Sequence, residues 1–391
     1  MNQFVPKVQL LLIAGAGLVG LSGCGLFGGD DIIEPPAELI EFDADIDVRR
    51  IWSSKVGGAS ERLRLGLVPV TDGANVYAGS YDGRVQAFNA DTGRSAWSVR
   101  LDVGLTAGPA FGAGVLAFGT VDGEMLLLDA QDGSERWRVP VGSEVLAPPA
   151  IGSNVVAFRS VDGRLRGLSV TSGRELWTIE QSLPALTLRG DTAPIVAGQA
   201  VVSGFDNGRI GAYEISSGTP IWEIAIATPT GRNELERLVD IGGGLAVVGN
   251  EVYAAGYHGR AVSIDLRSGV VIWQQEISSF AGIGVDLNNV YVTDEFGTIV
   301  AFERSSGGRI WQQEALRLRD VTAATRFGNT LVVGDLEGYL HWLDPADGRF
   351  LARAKAAGDR IAGPPLVVGQ TIYVQGDDGT VAAYVIRDES A

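Results

Sequence analysis

Thr120-Val121-Asp122-Gly123-Glu124-Met125-Leu126-Leu127-Leu128-Asp129-Ala130-Gln131-Asp132-Gly133-Ser134-Glu135-Arg136-Trp137 is the clearest of eight copies of one pattern, spaced about forty residues apart along the chain. Its first turn glycine recurs at Gly83, Gly123, Gly163, Gly208, Gly259, Gly297, Gly338 and Gly379. A period in this range means small β units that cannot bury their own faces alone. Each unit reads strand by strand. An apolar run such as Val115-Leu116-Ala117-Phe118 enters an Asp-Gly turn, where glycine supplies the positive φ of a tight hairpin. Glu124 to Asp129 forms the next strand, Asp132-Gly133 turns again, and a further strand starts near Trp137.

Four short strands per unit at this period predict an all-β, eight-bladed β-propeller of four-stranded antiparallel blades. The chain ends point to a closed ring. The eighth unit stops after Thr380-Val381-Ala382-Ala383-Tyr384 with no Trp strand, and Arg50-Ile51-Trp52-Ser53 is a Trp strand with no unit before it. The strand near Trp52 is expected to complete the last blade and so remove the open sheet edges. Trp97, Trp137, Trp177, Trp222, Trp273 and Trp311 each follow a turn glycine by four residues. That fixed place suits the seam between neighbouring blades, with each indole N–H finding a carbonyl, better than an exposed stacking surface. The seventh unit has Ala352 where Trp is expected, and Trp342 is a candidate to fill that volume.

Of the 391 residues, 46% are hydrophobic and 20% charged, ample for one large repeat domain. The net charge of −16 disfavours a nucleic-acid partner, because phosphate binding wants a basic surface. Residues 1–23 read as a lipoprotein signal peptide. Lys7 precedes an apolar stretch too short for a comfortable membrane span, and Leu21-Ser22-Gly23-Cys24 is similar to a bacterial lipobox. Cys24 is the only cysteine, so an internal disulfide is excluded and lipid attachment is expected instead. Residues 24–47, with Gly28-Gly29 and Pro35-Pro36, read as a flexible tether, and 48–391 as the propeller. By resemblance to other lipoproteins, Gly25 rather than Asp after the cysteine implies the outer membrane, facing the periplasm.

Enzyme signals are absent. His258 falls in a hairpin turn and His341 in a strand of another unit, with no cysteine to share a metal, and neither belongs to a nucleophile motif. The Asp-Gly pairs offer one or two acids per turn, unlike the alternating carboxylates of a calcium loop. The expectation is a protein without catalytic residues, metal or cofactor.

The units, for example Asn89-Ala90-Asp91-Thr92-Gly93-Arg94-Ser95-Ala96-Trp97, resemble the repeats of pyrroloquinoline-quinone-type propellers from about Val48 to Ile386. Quinoprotein dehydrogenases share such repeats. They are usually much longer and commonly place the quinone and calcium over a disulfide that this chain cannot supply. A small-ligand-binding propeller is a further alternative. From the lipobox to the last blade, the chain resembles the BamB family of the outer-membrane β-barrel assembly (BAM) machinery. Leu186-Thr187-Leu188-Arg189-Gly190-Asp191-Thr192-Ala193-Pro194, Asn233-Glu234-Leu235-Glu236-Arg237-Leu238-Val239-Asp240 and Gly334-Asp335-Leu336-Glu337-Gly338-Tyr339-Leu340-His341-Trp342-Leu343 carry the resemblance.

The first two stretches fall where the repeat lengthens. Gly163 to Gly208 spans 45 residues and Gly208 to Gly259 spans 51, against 40 in the intervals before. Extra residues in a repeat protein usually form loops on a binding face. The resemblance implies a scaffold that binds the periplasmic (POTRA) domains of the barrel-forming subunit BamA through Leu186, Leu188, Arg189 and Asp240, and that assists insertion of outer-membrane proteins. Direct contact with unfolded outer-membrane protein precursors by strand addition is a further expectation. The family often has a second acid two residues after Asp240, where this chain has Gly242. Leu186 and Leu188 alternate, which leaves both a core-facing and an exposed placement open, more so for Leu188. Glu234, Glu236 and Arg237 read as a solvated face.

Overall fold

A computed structural model describes residues 34–58, 65–188, 192–230, 232–242, 244–361 and 363–387, so Cys24 and Arg189 lie outside the described residues. Every regular element among them is a strand, and the strands form eight sheets. Blade 1 holds Val70–Thr71, Asn75–Gly79, Arg84–Asn89 and Ser95–Arg100, and blade 2 runs from Leu105–Gly112 to Glu135–Pro140. Blades 3 to 7 follow in order and end in the outer strands Glu175–Glu180, Pro220–Ala225, Val271–Glu276, Arg309–Gln313 and Phe350–Lys355. Blade 8 has three strands, Leu366–Val368, Thr371–Gln375 and Thr380–Ile386, and takes its fourth, Val48–Lys55, from the other end of the chain. That strand runs antiparallel to the last one, from Val48 opposite Ile386 to Lys55 opposite Thr380. The propeller and its closure are therefore as the repeat predicts. Blade 2 departs from four strands. Gly66–Leu67 adds a short parallel strand on the inner side of Leu105–Gly112.

Apolar side chains on both faces of each sheet meet those of the next blade, so the core is divided among the eight seams. One cluster joins Val115, Ala117 and Leu127 of blade 2 to Val156, Phe158 and Leu168 of blade 3. The cluster across the closure joins Trp52, Val381 and Ala383 to Val76, Ala78 and Phe88. The tryptophans sit in these seams as expected. Each indole N–H donates to a carbonyl of the following blade: Trp52 to Ala90 at 2.7 Å, Trp97 to Ala130 at 3.0 Å, Trp177 to Ile215 at 2.8 Å, Trp311 to Pro345 at 2.9 Å. The ring lies on the next blade's turn glycine. A Cβ on Gly133, which has φ +76°, would come within 2.7 Å of the Trp97 ring. The glycine therefore serves both the turn conformation and the seam.

Blade 7 replaces this arrangement. Ala352 pairs with Trp342 across the sheet, and Trp342, fully buried, fills the seam against Tyr384 at 6.0 Å between ring centroids. Its indole nitrogen has no hydrogen-bond partner among the described residues, so the volume is replaced but the inter-blade bond is not.

The stretch expected as a tether is described from residue 34 onward, and residues 37–46 lie along blade 7. The Ala37 N–H donates to the Arg317 carbonyl at 2.9 Å, and that of Asp45 to the Leu351 carbonyl at 2.8 Å. Phe42 stacks on Phe350 with centroids 5.4 Å apart. Leu39, Phe42 and Ile46 give this segment apolar anchors that a free linker lacks.

Candidate partner-binding face

The connectors that lead from one blade's outer strand to the next blade's inner strand share a face with the Asp-Gly hairpin turns. In blade 3 the N–H of Gln181, just past the outer strand, donates to the Gly163 carbonyl of the turn at 3.2 Å. Leu183 then covers that turn, close enough that a Cβ on Gly163 would lie 2.9 Å from its Cδ2. The base of the connector is held by an amide network across blades 3 and 4. The Gln181 side chain donates to Glu223 Oε1 at 3.0 Å and accepts from Asn207 at 3.2 Å, and the Tyr213 hydroxyl donates to the same Glu223 oxygen at 2.7 Å. Burial, and then the Glu223 carboxylate, push the Tyr213 hydroxyl well above its ordinary value, so it remains a donor.

Beyond this base, Leu186 and Leu188 are 46% and 42% exposed. The core-facing alternative left open for Leu188 is therefore not taken. Three exposed leucines within six residues, on a segment held at its base by Gln181, form an apolar ridge of the kind that marks an interaction surface.

The connector after blade 4 is stiffened by a single turn. Asn233 Oδ1 accepts from the Glu236 N–H at 2.8 Å, while Glu236 accepts from the Asn233 side chain at 2.8 Å and from the Arg232 N–H at 2.7 Å. This reciprocal capping presents Leu235 at 70% exposure. Glu234, Glu236 and Arg237 are exposed as expected, with Glu236 also serving as the cap. The chain then dives inward. Leu238, Val239, Asp240 and Ile241 are buried, and Asp240 bridges to Tyr257 through a 2.7 Å backbone bond from the Tyr257 N–H to its carbonyl. Asp240 is thus a buried residue at the blade 4–5 seam, unlike the exposed leucines. A Cβ on Gly242 would lie 3.6 Å from Asp240 Oδ2, in open contact and without backbone strain.

The structure also contains a charged cluster that sequence reasoning did not foresee. On blade 7, Arg319 and Asp335 are buried and paired at 2.9 Å, and His341 Nε2 lies 3.0 Å from the same carboxylate oxygen. Arg353 donates through Nε to His341 Nδ1 at 3.2 Å and through Nη1 to the Ile40 carbonyl at 3.0 Å, and Arg319 donates to the Ala37 carbonyl at 2.9 Å. Because Arg353 can only donate, His341 Nδ1 accepts and Nε2 carries the proton, which fixes a neutral tautomer. Burial pulls His341 below its ordinary value despite Asp335. The cluster clamps residues 37–40 to the ring. The signal that could have revealed it was the apolar spacing of Leu39, Phe42 and Ile46 in a stretch otherwise rich in acids.

His258 is exposed in its turn, stacked on Tyr257 with centroids 4.0 Å apart. Among the described residues, no group of three His, Cys, Asp or Glu side chains is placed to hold a metal ion.

The family model described as "Outer membrane protein assembly factor BamB" matches residues 37–103, 81–313 and 295–390. The outer membrane protein assembly factor BamB of Pseudomonas aeruginosa is 47% identical over 353 residues, covering 90% of this chain and 93% of that protein. The crystal structure of BamB from Moraxella catarrhalis superposes with a TM-score of 0.79 at 27% identity, covering 87% of this chain and 100% of that one. The quinohemoprotein alcohol dehydrogenase of Comamonas testosteroni, with a TM-score of 0.70 at 13% identity over 87% of this chain and 76% of that one, shares the fold alone.

Proposed function

The chain belongs to the BamB family of outer membrane protein assembly factors, and from that membership we propose that it is a non-enzymatic scaffold lipoprotein of the BAM complex. Cys24 anchors it by lipid to the periplasmic face of the outer membrane, and the ring holds the periplasmic POTRA domains of BamA in a working orientation. The observation that carries this is the pair of connectors on one face, the first held at its base and the second by a capped turn, which leave Leu186 and Leu188 exposed on one and Leu235 on the other. Apolar side chains on a rigid support lose little entropy on binding, and a neighbouring arginine adds a directed charged contact. Arg189 follows Leu188 directly and is assigned that part. Asp240, buried beneath the second connector, supports the surface from below.

The test is capture of purified BamA periplasmic domains by the mature chain and by its Arg189→Glu variant. Weaker capture at an unchanged melting temperature is expected. Equal capture would remove Arg189 from the site, and no capture by the parent chain would defeat the scaffold function.

A further inference from the structure

The outer strand of every blade carries a one-residue bulge just before the tryptophan position, at Ile272 in blade 5 and Leu351 in blade 7. The bulged residue skips pairing with its inner neighbour. In blade 7 its carbonyl is used from outside, since Leu351 accepts the backbone N–H groups of Asp45 and Ile46. Leu351 is buried there, and Ile46 packs into the same cluster. The chain thus shows on itself how an extended segment docks on a blade's outer edge, with one carbonyl, one aliphatic side chain and flanking groups.

The flanking groups set what is accepted. Blade 7 surrounds Leu351 with Arg349, which pairs with Asp45, and Arg353, which holds the Ile40 carbonyl. These suit the acidic stretch Glu38-Leu39-Ile40-Glu41-Phe42-Asp43-Ala44-Asp45. Blade 5 has Val270, Val271, Ile272 and Gln274 in the places of Arg349, Phe350, Leu351 and Arg353. Val270, Val271 and Ile272 are 61%, 39% and 48% exposed, and among the described residues this strand pairs only with Arg260–Asp265. No other blade is aliphatic at all three positions. Blade 3 has Arg174-Glu175, blade 4 Pro220 and blade 6 Arg309 there. An exposed apolar edge is an aggregation liability that proteins ordinarily blunt with charge or proline. Here the bulge limits edge-to-edge growth, but the aliphatic triplet remains open.

We propose that the outer edge of blade 5, at Val270, Val271 and Ile272, docks an extended, uncharged apolar segment of an unfolded outer-membrane barrel precursor. Barrel strands alternate apolar and polar residues, and before insertion their backbone groups are unpaired, so one aliphatic contact and one carbonyl complement them. The identity of the occupant rests on the assembly-factor function proposed above; the open edge does not.

The experiment uses the mature chain and a fluorescent synthetic peptide of about ten residues, the length of a membrane-spanning strand, alternating valine or tyrosine with threonine or asparagine. A photoreactive phenylalanine replaces Val271, and in a second protein Ala96, the bulge residue of blade 1. Crosslinking at position 271 and not at 96 is expected. Val270→Lys with Ile272→Lys is expected to weaken peptide binding about tenfold while capture of BamA periplasmic domains and the melting temperature are unchanged. Equal crosslinking at both positions, or peptide binding untouched by the two lysines, overturns the proposal. Peptide binding of this pattern without BamA capture by the parent chain would leave the edge site standing and remove the scaffold function.

Discussion

Trp52 Nε1 donates a 2.7 Å hydrogen bond to the Ala90 carbonyl, so a residue of the first strand locks the blade it completes, the eighth, to the first. Trp52 also packs against Phe88 and Tyr373, with centroids 6.0 and 5.9 Å away. The ring closes through side chains as well as through the backbone ladder of Val48–Lys55. Trp52→Ala is expected to cost about 3–5 kcal/mol in urea denaturation, as for a buried aromatic at any seam. A loss below about 1 kcal/mol would mean that this strand does not close the ring.

The odd seventh blade gives a comparison of two tryptophans. Trp97→Phe removes the donor to the Ala130 carbonyl, whereas Trp342→Phe removes an indole nitrogen that has no partner. Trp97→Phe is expected to be the more destabilising by about 1 kcal/mol, read from chemical denaturation midpoints. Ala352→Trp restores the repeat consensus yet overfills a seam that Trp342 already occupies, and is expected to cost about 1–3 kcal/mol.

His341 makes stability depend on pH. Its folded-state value is lowered, chiefly by burial, so the unfolded chain takes up the proton first as acid is added. Stability is complete above the unfolded value of about 6.5 and falls below it, by at most about 1.4 kcal/mol per pH unit for one proton. Burial opposes the charge on Asp335, but its hydrogen bond with His341, the Tyr339 N–H and Arg319 keep its carboxyl below the usual range. Asp335 therefore adds a second loss only at much lower pH, as its folded-state value is crossed. Urea midpoints between pH 7 and pH 5 should fall for the parent chain and stay level for His341→Gln. A parallel fall in both would place the titrating group elsewhere.

Phe42→Ala removes the stack on Phe350 and the ring beneath Arg353, 5.0 Å away. Limited proteolysis is expected to cut residues 36–47 several times faster in this variant, with little change in the ring's melting temperature. No change in cutting would mean that the backbone bonds at Ala37 and Asp45 hold the segment unaided.

The period, the turn glycines and the unpaired Trp52 strand made the fold legible, because each is a local demand repeated in register. The two long connectors were legible as insertions, and Leu186 as an exposed residue. Burial of Asp240 was not, because it depends on Ile241 packing onto Gly204 and Gly256, tertiary contacts of the two flanking blades that no local spacing in the connector announces. Docking of residues 37–46 was hidden for a related reason. Its partners Arg319 and Arg353 lie some 280 to 310 residues downstream, and no short-range pattern announces them.

In the proposed function, the face carrying the 181–188 connector meets the periplasmic domains of BamA. A photoreactive side chain at position 186 should crosslink to those domains, and one at position 131, on a turn of the opposite ring face, should not. Crosslinking at 131 with none at 186 would put those domains on the opposite face of the ring.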